Sequence, residues 1–187
     1  MPVVSDHLFS QGTLTSEFDG RIRRLRQEVR DLDAEALAGE DEVVISRLLA
    51  KFDLSSVEFE PAPPADDGDA GPLRIPFRGS TVLLHRRPQD SDAADEPLAG
   101  RVVEESRRVG DRRVRHSWVE IAGPHGDPSC PAESWRQGMV SELTRRVAPG
   151  NARLPGFRRD LREAAKEAVR ARREKLLKTS ELSWRLE

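Results

Sequence analysis

The sequence predicts an α+β protein, with helices first, then a small sheet, then helices again. Three observations carry this. Phe18, Ile22, Leu25, Val29 and Leu32 recur at spacings of 4, 3, 4 and 3, one face of a helix. Between residues 57 and 121, apolar residues instead alternate with polar ones, the period of a half-buried strand. From Leu154 to Lys178 the helical period returns, through Leu154, Phe157, Leu161, Ala164, Ala168 and Ala171. Elements segregated in this order make α+β rather than alternating α/β.

Each element follows from local chemistry. Thr15 or Ser16 supplies an N-cap for the first helix, and Gly39, beyond Leu37, supplies a stop. Glu40 or Asp41 opens a second helix through Val44, Ile45, Leu48, Leu49 and Phe52, so residues 16–54 read as a helical hairpin. Val57 and Phe59 alternate with glutamates, as do Leu73, Ile75 and Phe77 with Arg74, Pro76 and Arg78. Pro76 donates no backbone hydrogen bond and points to an edge or bulge. Thr81–His85, Arg101–Glu105 and Arg113–Ile121 complete a mostly antiparallel sheet of about four or five strands over residues 57–121. The Gly110-Asp111 pair is the expected turn. Residues 61–72 and 88–97, rich in Pro and Asp, read as acidic loops. Trp135, Met139, Leu143 and Val147 start a third helix. Ala148-Pro149-Gly150-Asn151 should interrupt it, so residues 131–178 read as a pair of long helices. The apolar stripe of the second is expected to pack on the first, and its alanines would let helices self-associate closely.

Length and composition fit one domain over residues 1–187 with a modest core: 36% of residues are hydrophobic and 34% charged. Net charge is −2, but residues 1–100 carry 11 basic and 20 acidic side chains, or −9, while residues 101–187 carry 20 and 13, or +7. No run of 18 apolar residues exists, which excludes a membrane-spanning helix, and the N-terminus lacks a basic region followed by an apolar one. With Cys130 as the single cysteine, no intrachain disulfide can form. These features lead to an expected cytoplasmic location.

Catalytic motifs are not evident. His7, His85, His116 and His125 are dispersed, and His125 with Asp127 lacks a third metal ligand nearby. Cys130 has no adjacent histidine base. Gly79-Ser80-Thr81 lacks the glycine and lysine of a phosphate loop. No catalytic, cofactor or metal residue is therefore assigned. The candidate site is instead the basic outer surface of the last helix: Arg158, Arg162, Lys166, Arg170, Arg172, Arg173 and Lys175. Residues 154–178 hold nine basic and four acidic side chains, a net +5. Such a surface suits another protein, or alternatively nucleic acid, with Arg112, Arg113 and Arg115 adding to the phosphate contacts. A hydrolase using His116 or His125 is a third reading.

Several segments, taken together, resemble an accessory domain of bacterial antiphage-defence, or conflict-system, proteins. The matching elements are Leu48-Leu49-Ala50-Lys51-Phe52-Asp53-Leu54 at the end of the hairpin, Ile75-Pro76-Phe77-Arg78-Gly79-Ser80 with Arg87-Pro88 downstream, Gly156-Phe157-Arg158-Arg159-Asp160-Leu161, and Arg172-Arg173-Glu174-Lys175-Leu176-Leu177. The resemblance spans roughly Phe18 to Leu177 and implies a non-enzymatic interaction, scaffold or sensor module beside a nuclease-like or TIR-like effector. Two departures are visible. Arg158 stands where the pattern has Asn, and no effector segment follows Glu187. The resemblance then implies a stand-alone adaptor or a fragment of a larger effector.

Overall fold

A computed structural model of the chain describes residues 7–60, 72–87, 97–109, 112–122 and 132–183. The two acidic loops lie almost wholly outside these residues, as do the Gly110-Asp111 turn, His125, Asp127 and Cys130. Among the described residues, four helices and six strands make an α+β protein, as the sequence predicts. The chain divides into two compact units: residues 1–14 with 55–152, and residues 15–54 with 153–187. No helix among the described residues is long and apolar enough to cross a membrane.

The first unit holds the sheets. Strand β1 (His7–Leu8) pairs antiparallel with β4 (Leu98–Ala99). The main sheet has the order β2-β3-β6-β5, with β2 at Glu58–Phe59, β3 at Leu73–Arg78, β5 at Arg101–Val109 and β6 at Arg112–Ile121. All its pairings are antiparallel. Period-2 alternation buries Leu73, Ile75, Phe77, Val119 and Ile121 on one face, each side chain contributing about 1.5–3 kcal/mol by leaving water. Pro76 sits where its missing N–H does least harm. Its carbonyl accepts the Glu60 N–H at 2.9 Å, so its amide side faces β2 where that short strand has ended.

Thr81–His85, expected as a strand, instead contains a single helical turn, α3 (Val82–His85). Leu83 and Leu84 are both buried, which does not fit the expected half-buried strand and which a helical turn permits. The Ser80 carbonyl accepts Leu83 N–H at 3.1 Å to start it. Gly79 precedes this turn at φ +113, and a Cβ there would lie 2.0 Å from the Ser56 carbonyl oxygen. Only glycine fits that position.

The expected helix pair is one uninterrupted helix, α4, running 52 residues from Ala132 to Ser183. Pro149 and Pro155 each remove an i→i−4 hydrogen bond, at a cost of about 3 kcal/mol in an isolated helix. Packing in the first unit offsets the first of these. The Asn151 side chain accepts Val57 N–H and donates to the Val57 carbonyl, both at 2.9 Å, locking this stretch of helix to the chain entering β2. Gly150 is buried, with Leu14 Cδ1 3.0 Å from where a Cβ would stand. Because α4 is continuous, the predicted antiparallel pairing of its two halves does not occur.

The second unit is a three-helix arrangement of α1 (Leu14–Asp31), α2 (Asp41–Phe52) and the later part of α4. Contacts between α1 and α4 advance together. Arg153 donates to Thr15 Oγ1 at 2.7 Å, Phe18 stacks on Phe157 at 4.4 Å, and Arg172 donates to the Leu32 carbonyl at 2.9 Å. These two helices therefore run parallel. Contacts to α2 run the other way, from Asp53 with Arg158 to Asp41 with Arg173, so α2 is antiparallel to α4. Helix α1 ends at Asp31 rather than near Gly39, because Asp33 Oδ1 takes the Ala36 N–H at 2.7 Å and closes a turn instead.

Candidate functional site

The candidate cations all sit on the part of α4 that belongs to the second unit. The buried face there follows Leu154, Phe157, Leu161, Ala164, Ala165 and Val169. The sequence stripe ran on through Ala168 and Ala171, a strict 3.5-residue period. An α-helix turns at 3.6, so the core-facing line drifts off such a stripe by about 20° per heptad. Ala168 is thereby left half-buried and Ala171 exposed, and the inward positions pass to Val169 and Arg172.

Several predicted surface cations are consumed by the fold. Arg158 meets Asp53 at 2.9 Å and donates to the Leu54 carbonyl at 2.7 Å, at the C-terminus of α2, where the carbonyl ends favour a cation. Arg173 pairs with Asp41 and donates to the carbonyls of Leu37 and Gly39 at 2.8 and 2.9 Å, tying down the α1–α2 connection. Arg162 reaches Glu42 at 2.8 Å. Lys166 and Arg170 form i,i+3 and i,i+4 pairs with Glu163 and Glu174 along the exposed helix, each contributing only about 0.2–0.5 kcal/mol.

Arg172 and Lys175 differ. They border a groove of about 430 Å³ between α1 and α4, with Ala168 and Ala171 on its α4 side. Arg26 and Arg30, one turn apart, supply the α1 side. Arg26 leans toward Glu167 at 3.6 Å, and Arg172 spends its Nε on the Leu32 carbonyl, which leaves its charge unneutralised. Among the described residues, Arg30 and Lys175 have no acidic partner within salt-bridge distance. Four cations less Glu167 give the groove a net +3. Sequence reasoning missed Arg26 and Arg30. Their i,i+4 spacing on the polar face of α1 was the available signal, but which face of α1 would adjoin α4 depends on the tertiary fold.

The first unit carries a second polar feature, on the outer face of its main sheet. Glu120, only 5% exposed, receives Trp118 Nε1–H and Arg74 Nε–H at 3.1 Å on one oxygen and Arg101 Nε–H at 2.7 Å on the other. Burial alone would raise the Glu120 pKa. Hydrogen bonds from Trp118 and Arg101, with the charges of Arg101 and Arg74, outweigh it and hold the carboxyl below its ordinary value. The Arg74 guanidinium lies over the Trp118 ring at 5.6 Å. Cross-strand register sets Pro76, Trp118 and Val103 in one row, with His116 exposed on the same face two residues along β6. Elsewhere in this unit His85 has a pKa below its ordinary value, lowered first by burial and then by neighbouring Arg86. Arg115 pairs with Glu104. Among the described residues, no three His, Cys, Asp or Glu side chains gather into a metal-binding group.

No family model matches the chain, and neither the curated proteins nor the solved structures give a significant match.

Proposed function

We propose that the chain is a non-enzymatic interaction module that takes an acidic helical segment of a partner protein into the groove between α1 and α4. The observation that carries this is the groove's makeup: a +3 rim from Arg26, Arg30, Arg172 and Lys175 beside Glu167, over an alanine surface. Small residues let a third helix approach closely, and the cations complement acidic side chains along its edges. Nucleic acid would supply the same negative charge. Stacking of its bases, however, calls for aromatic side chains, and none of the seven residues lining the groove is aromatic.

The order of hairpin, small sheet and long helix supports a place among the accessory components of bacterial defence-type systems, working in the cytoplasm beside a separately encoded effector. The sequence resemblance shares the hairpin and the small sheet, but it expects a long helix pair where α4 is one continuous helix.

Fluorescence anisotropy tests the assignment, using a labelled Glu/Ala/Leu helical peptide and an oligo-dT strand at physiological ionic strength. The peptide should bind the wild type, and Arg30→Glu with Lys175→Glu should weaken it at least tenfold, about 1.4 kcal/mol. Binding of the oligonucleotide but not the peptide would favour the nucleic-acid reading and sink this one.

A further inference from the structure

We propose that the outer edge of β5, which no described strand covers, is a self-association surface. Two copies would pair antiparallel through residues 103–109, centred on Ser106, and join two four-stranded sheets into one of eight strands. This rests on the first unit alone and is independent of the groove in the second.

Strand β5 ends the order β2-β3-β6-β5 and is bonded to β6 along all nine of its residues. Among the described residues, no strand meets its other edge; β1, the nearest candidate, pairs with β4 instead. At the opposite end of the sheet, β2 has only two residues. A long open edge is a template for another strand, which proteins ordinarily shorten or cover.

Backbone geometry then restricts how two such edges can meet. In an antiparallel pair, opposed residues must both turn their N–H and C=O toward each other or both away. Along one edge that orientation alternates residue by residue. A symmetric pair of β5 edges must therefore be centred on a residue, never between two. Centring on Glu104 opposes that glutamate to itself and Arg101 to Arg107. Centring on Glu105 or on Arg107 again opposes a charge to itself. Centring on Ser106 sets Glu104 opposite Arg108, Glu105 opposite Arg107 and Val103 opposite Val109, each twice by symmetry. The stretch Val103-Glu104-Glu105-Ser106-Arg107-Arg108-Val109 is thus charge-complementary to its own reverse. Opposite charges directly across a ladder stabilise it and like charges oppose it, so one register stands apart from its neighbours. Arg115 engages Glu104 Oε2 from within the same sheet. A carboxylate accepts several such bonds, so the pair with Arg108 is compatible with it.

The test is sedimentation velocity on the full chain over a concentration series. The wild type should reach twice the monomer mass. Glu104→Arg with Glu105→Arg, and separately Arg107→Glu with Arg108→Glu, should each raise the dissociation constant at least tenfold. An equimolar mixture of the two variants should dimerise again, because every opposed pair is then of opposite sign. Hydrogen exchange on the wild type needs no variant: the alternate amides of 103–109 that face away from β6 should gain protection as concentration rises. A wild type that stays monomeric, unchanged exchange in 103–109, a variant that dimerises alone as well as the wild type, or two folded variants that fail to combine would each overturn the proposal.

Discussion

Replacing Arg173 with alanine should destabilise the protein, while replacing Lys175, two residues along the same helix, should not. The Arg173 side chain is 32% exposed, and its guanidinium meets Asp41 and the carbonyls of Leu37 and Gly39. Hydrogen bonds to a charged group contribute about 1.5–3 kcal/mol when well buried. The partial exposure here reduces that, and the pair with Asp41, itself 65% exposed, adds about 0–1 kcal/mol. The sum for Arg173→Ala is about 2–3 kcal/mol. For a chain of this length that is a fall in Tm of roughly 5–10 °C, since each kcal/mol moves it by about 2–4 °C. Lys175 has no acidic partner among the described residues, so Lys175→Ala should stay within about 0.5 kcal/mol of the wild type. Thermal melts followed by far-ultraviolet circular dichroism compare the two directly. Equal shifts for both variants would refute the division of the basic helix into fold-holding and free cations.

Three further predictions concern the first unit. Glu120→Gln should cost about 1–3 kcal/mol at neutral pH, because Arg74 and Arg101 lose the negative charge they share and one of its two accepting oxygens becomes a donor, while both arginines remain more than half exposed. Its folded pKa lies below the ordinary carboxylate value, so its stabilisation is complete above that value and is lost as pH falls through the folded one. Urea melts of wild type and variant should therefore converge in acid, and a gap that widened there would contradict the network. Gly79→Ala should lower stability by more than 1 kcal/mol, given the left-handed φ and the Ser56 carbonyl in the way; an unchanged urea midpoint would argue against that turn. Pro149→Ala should raise Tm by restoring an N–H to the Arg145 carbonyl, and a lowered Tm would show that proline shapes this stretch of α4.

The class and most elements were legible in the sequence because apolar periodicity is a local signal. Phe18 to Val29 gave α1, and the alternation at Leu73–Phe77 gave β3. The failures came where tertiary contacts outvoted local preference. Pro149-Gly150 reads as a break, but Asn151 fastens the helix through residue 57, a partner 94 positions away that no local pattern reveals. Ala171 looked like core because a heptad was extended along a helix of 3.6-residue pitch. The basic surface was legible as charge, but not as two populations. Arg158 and Arg173 became structural only once α2 and the α1–α2 connection lay against them, and Arg26 and Arg30 joined Lys175 only across the packed helices.

The claim that the α1–α4 groove receives a partner helix is tested most directly by alanine-methyl NMR during titration with the Glu/Ala/Leu peptide. The methyls of Ala168 and Ala171 should shift with saturation, while those of Ala164 and Ala165, buried in the three-helix core, should hardly move. Shifts confined to the sheet face around Trp118, with Ala168 and Ala171 unmoved, would contradict it.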